Sequence, residues 1–185
     1  MSSLRVAGVC PQLTAALTPR KDVRVQSSRA LGPSVTLEVI HRGAGNAVGV
    51  LDGRALIVVR SQALTEETLD AIVRAVEQTR AARPAGALAI IPGDAGLSPE
   101  HLLARQRKIF QQAKKLDDVW IAFCVQGDGV QSMVMRAVVR MFLLGQPRMT
   151  MHAKPESAIV WFATRLGLSV EAVRSAVASL RTSPT

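Results

Sequence analysis

The amino-acid sequence predicts an α/β fold with a mixed, mainly parallel sheet of four to six strands covered by four or five helices. Two short apolar runs, GALAII at 86–91 and VWIAFCV at 119–125, are typical of parallel strands that are covered on both faces. Segments with helical periodicity alternate with these runs, which favours parallel strands joined by crossover helices. The composition agrees, because 48% of the residues are apolar but only 3% are aromatic, which indicates an aliphatic core.

Three segments follow from the pattern along the chain. Residues 1–33 contain Pro11, Pro19 and Pro33 without a sustained period, which predicts a flexible basic N-terminal arm. Residues 34–167 carry the strand and helix patterns of the predicted domain. Residues 168–185 are predicted to form a C-terminal amphipathic helix and a tail.

The first half of the domain predicts a β-meander followed by a helix. VTLEVIHR at 35–42 alternates in part, and VGVLDGRALIVVRS at 48–61 contains Asp52-Gly53, a dipeptide typical of a tight hairpin turn. Thr65 then fits a helix N-cap, because two glutamates follow it in the first turn, where the helix dipole favours acids.

The second half continues with helices that have recognisable ends. Ser98-Pro99-Glu100 predicts an N-cap, an N1 proline and an early acid, and Pro155 starts a later helix in a similar way. Gly167 fits the C-cap of that helix, and Ser169 fits the N-cap of the last one.

Charge and cysteine content limit the classes of function. The net charge is +9, which favours anionic partners, but the sequence has no recognisable nucleic-acid-binding motif. Cys10 and Cys124 are far apart, and Cys124 lies inside an apolar strand, as expected for a reduced, cytoplasmic protein. We find neither a signal peptide nor an apolar run long enough to span a membrane.

The closing segment MTMHAKPESAIVWFATRLG, with Glu156, Ala158 and Trp161, is similar to the end of STAS-like domains, the fold of anti-sigma-factor antagonists and related STAS/SEC14-like bacterial proteins. Residues 136–142, RAVVRMF, resemble the third helix of those proteins. The resemblance covers about residues 35–167 and implies a non-catalytic regulatory module. It also implies a phosphorylatable serine, for which Ser98 is the nearest residue, although Ala95 rather than serine follows Asp94.

Turns at the ends of neighbouring strands provide one candidate ligand site. Asp94, Ser98 and Asp128 follow these strands, and ligands collect at the carboxyl ends of parallel strands. The alternative is that both aspartates only cap turns and helices, since neither turn has the glycine spacing of a dinucleotide-binding loop.

Catalysis has little support in the sequence. His41, His101 and His152 are scattered and do not have metal-ligand spacing, and no Gly-x-Ser-x-Gly motif is present. We therefore predict no enzyme activity, no metal and no cofactor.

The segment 130–144, VQSMVMRAVVRMFLL, predicts a helix with almost no polar side. Either it is buried under the last helix or the N-terminal arm, or part of its surface contacts another protein. The second interpretation predicts a partner or homo-oligomer interface with five members: Met135, Arg136, Val139, Arg140 and Leu143.

The helix predicted from Pro99 to Leu116 carries a basic outer surface made of Arg107, Lys108, Lys114 and Lys115. This surface fits a solvated helix back, an acidic protein or an anionic lipid surface. The sequence thus favours a STAS-like interaction module that self-associates or docks a partner through 130–144. The alternative is a protein that binds a small ligand or an anionic lipid surface through the strand-end turns or the basic helix.

Overall fold

The computed structural model describes residues 26–30, 35–43, 45–96, 98–113 and 118–182, with the backbone alone for residues 26–30, 110 and 113. It confirms the α/β fold. The strands are β1 (Gln26–Ala30), β2 (Thr36–Gly43), β3 (Asn46–Leu51), β4 (Ala55–Arg60), β5 (Ala85–Pro92), β6 (Val119–Gln126) and β7 (Met149–His152). The helices are α1 (Glu66–Thr79), α2 (Glu100–Ala113), α3 (Val130–Leu143), α4 (Pro155–Leu166) and α5 (Val170–Arg181).

All strands belong to one sheet, in which their spatial order is the same as their order in the chain. Pairing is antiparallel from β1 to β4 and parallel from β4 to β7. Strands β2 to β7 are therefore a six-stranded, mostly parallel sheet. Strand β1 lies within the segment predicted to be a flexible arm and adds a seventh strand at the edge, whereas residues 1–25 lie outside the described part of the chain.

The β3–β4 hairpin forms where the sequence predicts it. Asp52 and Gly53 both have positive φ, 53° and 64°, and Leu51 pairs with Ala55 across the turn. Positive φ at both central positions is characteristic of the tight turns that match the twist of a hairpin, and Asp-Gly is a preferred dipeptide for them.

Helices cover both faces of the sheet. Helices α4 and α5 pack on one face, where Phe162 and Val177 contribute to a core with Ile57 and Leu88. Helices α1, α2 and α3 lie on the other face. Because α5 shares its core with α4, the structure has no domain boundary between residues 167 and 168.

The helix ends predicted at Thr65, Gly167 and Ser169 agree with the structure. The predicted N-cap at Ser98 is wrong, because α2 begins at Glu100 and the Ser98 hydroxyl accepts from the N–H of Leu64 instead of from a helix N–H. The Thr65 hydroxyl accepts a hydrogen bond from the N–H of Thr68 at 3.3 Å, and the Ser169 hydroxyl accepts one from Ala172 at 3.4 Å. Gly167 ends α4 in the left-handed conformation, with φ of 61°. These local signals define the start of α1, the end of α4 and the start of α5.

Candidate functional site

Helix α3 has two apolar sides. Its inner side packs on the sheet, where Ser132, Met135 and Val139 are buried. Its outer side carries large apolar side chains that are between 47% and 77% exposed: Val130, Met133, Val134, Met141 and Leu144. We call these five residues the α3 outer face. Val130, Met133 and Val134 lie within one turn, Met141 follows Val134 by seven residues, which is about two turns, and Leu144 lies just past the end of the helix, so all five form a stripe along one side.

The predicted interface residues need correction, because most of them lie inside the domain. Met135 and Val139 are buried in a cluster with Phe123 of β6, and Leu143 packs against the same cluster. Apolar residues on every side of the helix could not indicate which side faces the sheet.

The two predicted interface arginines differ from each other. The Arg136 guanidinium donates hydrogen bonds to the carbonyl of Val125, at 3.3 Å from Nε and 3.2 Å from Nη2, and to that of Gly127. It thereby ties α3 to the end of β6. Arg140 is exposed and lies beside the α3 outer face.

No described element covers the α3 outer face. The last helix, α5, was one of the two elements predicted to bury α3, but it lies on the opposite face of the sheet. The other predicted cover, the N-terminal arm, falls on residues outside the described ranges, apart from strand β1. The stripe is thus a candidate contact surface.

The strand-end turns do not assemble the predicted ligand site. Asp94 lines a depression of about 650 Å³ between the ends of β5 and β6. The Asp128 side chain is fully exposed, and Ser98 is buried, with its hydroxyl accepting a hydrogen bond from the N–H of Leu64 at 3.2 Å. A kinase could reach the Ser98 hydroxyl only if the hydroxyl first left this buried position.

Only part of the predicted basic surface on α2 lies in the described ranges. Arg107 and Lys108 are exposed, and the Arg107 guanidinium lies 6.0 Å from the centre of the Phe142 ring of α3. Lys114 and Lys115 fall outside the described residues. Arg107 therefore brings positive charge close to α3.

An apolar cavity of about 110 Å³ lies between α1, α2 and strands β4 to β6. Ala87 and Ala89 of β5 line it and are partly exposed, although β5 is an interior strand. Their small side chains leave space below α2, which contributes Gln106 and Ile109 to the lining. We did not predict this cavity, although the alternation of alanine with larger residues in β5 is its signal in the sequence.

Burial shifts the pKa of three titratable side chains in the described part of the domain. Burial lowers the pKa of His41 and of His152, and it raises the pKa of the Cys124 thiol to about 11. A thiol with so high a pKa is a poor nucleophile. Among the residues that the structure describes, no group of three or more histidine, cysteine, aspartate or glutamate side chains could hold a metal ion.

Comparisons with known proteins identify no relative. No family model, no curated protein and no solved structure matches the chain significantly. In the described part of the chain, no helix is both long and apolar enough to cross a membrane. The resemblance to STAS-like domains therefore stays a prediction.

Proposed function

We propose that this protein is a non-catalytic regulatory module of the bacterial cytoplasm that docks an acidic protein partner through the α3 outer face. The observation that carries the proposal is the continuous stripe of five large apolar side chains that no described residue covers. Apolar patches of this kind on a protein surface mark interaction sites. The predicted likeness to STAS-like regulatory modules agrees with it.

The charge around the stripe supports an acidic partner rather than a second copy of this chain. Arg140 lies on α3 beside the stripe, and the Arg107 guanidinium of α2 lies 6.0 Å from the centre of the Phe142 ring of α3. Two copies would bring these cations together, and each chain carries a net charge of +9. Complementary charge favours specific encounter, whereas like charges across an interface oppose it.

Replacing one exposed methionine tests the proposal. Met141→Glu places a negative charge in the stripe, and Val160→Glu places the same charge at an exposed apolar position on α4, on the other face of the sheet. Each tagged protein is purified from its native cells, and bound proteins are quantified by mass spectrometry. We expect a protein bound by the wild type and by Val160→Glu to be lost from Met141→Glu, and its binding to weaken as salt rises.

Two results would contradict the proposal. One is a bound protein that both variants retain equally, which would place its contacts elsewhere. The other is a concentration-dependent dimer of the wild type in light scattering that Met141→Glu abolishes, since the occupant of the stripe would then be a second copy.

A second candidate function is the binding of an apolar chain in the cavity below α2. The β5 residues that line the cavity run from Ala85 to Ile91, which is about 20 Å along a strand. A volume of about 110 Å³ spread over this length suits a linear alkyl chain better than a ring system. Arg80 and Arg83 at one end and Arg60 at the other would favour an anionic head group.

A cavity-filling variant tests this second function. Ala89→Leu fills the space below α2, whereas Ala137→Leu adds the same methyl groups at an exposed position of α3. We expect a fluorescent alkyl carboxylate to bind the wild type and Ala137→Leu but not Ala89→Leu. Equal binding by all three proteins, or by none, would exclude the cavity as the site.

A further inference from the structure

Arg60, at the end of β4, is a buried cation without an acidic partner. It is 6% exposed, and none of the ion pairs among the described residues includes it. Burial lowers the pKa of Arg60 to about 10, because this position solvates a cation poorly. A buried charge that no opposite charge neutralises is unfavourable, so Arg60 calls for an explanation other than stability.

The alternation of side chains along β4 places Arg60 at the cavity below α2. Leu56, Val58 and Arg60 point to the same face of the sheet, and the first two pack against α1. All three line the cavity, so Arg60 lies at the end of the cavity where β4 ends. The lining contains no aspartate or glutamate.

One edge of the Arg60 guanidinium is free to bind a ligand. Nε and Nη2 both donate to the carbonyl of Gln62, at 3.3 and 3.2 Å, which occupies the edge that these two nitrogens share. Nη1 makes no hydrogen bond with any residue that the structure describes, and it is not among the polar atoms that are fully buried without a partner. The edge formed by Nη1 and Nη2 can therefore donate two parallel hydrogen bonds to a carboxylate.

The arginines at the other end of the cavity are in a different environment. Arg80 and Arg83 are exposed, and Nη1 of Arg83 donates to the carbonyls of Arg80 and Ala82 at 2.7 and 2.6 Å. Because water solvates these two side chains, their charges do not need a bound anion. The unpaired charge thus assigns the head group to the Arg60 end.

We propose that Arg60 binds the carboxylate of a fatty acid whose alkyl chain occupies the cavity below α2. This inference rests on the second candidate function, the binding of an apolar chain, and adds the head group and the residue that recognises it. A carboxylate neutralises the single charge of Arg60, whereas a phosphate monoester would bring a second negative charge into an apolar site.

Titration calorimetry at neutral pH with decanoate, decanol and decyl phosphate tests the proposal on the full chain. We expect the wild type to bind decanoate about tenfold more tightly than decanol, because only the carboxylate pairs with the guanidinium. Arg60→Met removes the charge and should abolish this preference, while its affinity for decanol stays within about twofold of the wild type, which also shows that the variant folds. Arg83→Met removes the same charge at the other end of the cavity and should keep the preference.

A measurement on the wild type alone does not depend on the folding of a variant. Decanoate labelled with ¹³C at the carboxyl group should, when bound, keep the chemical shift of a carboxylate from about pH 7.5 down to about pH 5.5, because the pair with Arg60 favours the ionised form. A bound head group that becomes protonated in this range would lie in an apolar site without a cation, which would overturn the proposal.

The outcomes separate this proposal from the second candidate function. If the wild type binds neither decanoate nor decanol, both are wrong. The cavity would remain a site for an apolar chain, but the assignment of Arg60 would be overturned, in three cases: equal affinity of the wild type for decanoate and decanol, a preference that is lost in Arg83→Met instead of Arg60→Met, or tighter binding of decyl phosphate than of decanoate.

Discussion

Helices α1 and α3 have the same length and cover the same face of the sheet, yet their solvent-facing sides differ completely. Both contain 14 residues. The exposed residues of α1 are all polar: Glu66, Glu67, Arg74, Glu77 and Gln78. The exposed side of α3 is a stripe of large apolar residues. The fold therefore does not require an apolar outer side at this layer, and the stripe on α3 calls for a functional explanation.

The inner sides of the two helices are alike. Ala71 and Ala75 of α1 are buried against the sheet, as are Met135 and Val139 of α3. Both helices thus contribute to the core in the usual way. The comparison separates the side of α3 that stabilises the domain from the side that is available for a partner.

The largest expected effect distinguishes the two sides of α3. Met135→Ala should lower the free energy of unfolding by about 2–5 kcal/mol, because it removes a buried side chain and leaves a cavity, and Leu69→Ala on α1 should cost a similar amount. Met133→Ala, the matched change on the exposed side, should stay within about 0.5 kcal/mol of the wild type. Urea unfolding measures all three, and equal losses in Met133→Ala and Met135→Ala would mean that both sides of α3 are covered.

A smaller effect concerns the start of α1. Thr65→Ala removes the hydroxyl that accepts from the N–H of Thr68, so it should destabilise the protein by about 1 kcal/mol. Thr65→Ser keeps that hydroxyl and should restore most of the loss. If Thr65→Ser is as unstable as Thr65→Ala in urea, the capping hydrogen bond is not the cause.

The packing of α1 should also depend on pH. The pKa of His41 is lowered by burial and by the charge of Arg74, although Glu67 acts in the opposite direction, and Nε2 of His41 lies 3.4 Å from the hydroxyl of Thr68. The unfolded chain, with an ordinary histidine pKa of about 6.5, binds a proton more readily than the folded protein. The neutral His41 side chain therefore stabilises the folded protein fully above about pH 6.5, and this contribution is lost as the pH falls through the pKa of His41 in the folded protein.

Urea unfolding at pH 7.5 and pH 5.5 measures this dependence. His41→Gln should reduce the loss of stability at the lower pH, and the remaining part should include His152, whose pKa burial also lowers. An unchanged pH dependence in His41→Gln would show that its protonation is not coupled to folding.

The smallest expected effect is at the start of α3, which has no side-chain cap. Gly129 occupies the N-cap position with φ of −77°, and a side chain there would meet no atom within 4 Å. Gly129→Asp should stabilise the protein by a few tenths of a kcal/mol, because the carboxylate can accept from free N–H groups and lies at the positive end of the helix. Gly129→Ala adds a side chain without a hydrogen-bond acceptor, so it should not stabilise the protein. Thermal unfolding measures both variants, and only Gly129→Asp should raise the melting temperature.

The sequence predicted those parts of the fold that depend on short-range signals. The Asp52-Gly53 turn, the caps at Thr65 and Ser169, and the apolar strands β5 and β6 each follow from a few adjacent residues. Strand β1, QSSRA, was not predicted, because it has almost no apolar residues and no alternation, and its pairing with β2 is a long-range contact.

The candidate sites were harder to predict, because they depend on residues that are distant in the chain. When apolar residues surround a helix, the sequence does not show which side faces the sheet. Met135 and Met133 could therefore not be assigned to the inner and outer sides. The cavity below α2 is lined by residues of α1, α2 and strands β4 to β6, which only the fold brings together.

The most direct test of the α3 outer face is the solvent accessibility of the methionine methyl groups. The chain has six methionines, so selective ¹³C labelling gives a simple NMR spectrum in which Met133, Met135 and Met141 can be assigned by substitution. A soluble paramagnetic probe should broaden the signals of Met133 and Met141 in the free protein but not in the purified complex, and it should leave Met135 sharp in both. Met133 and Met141 signals that broaden equally in the free protein and in the complex would contradict docking through this helix.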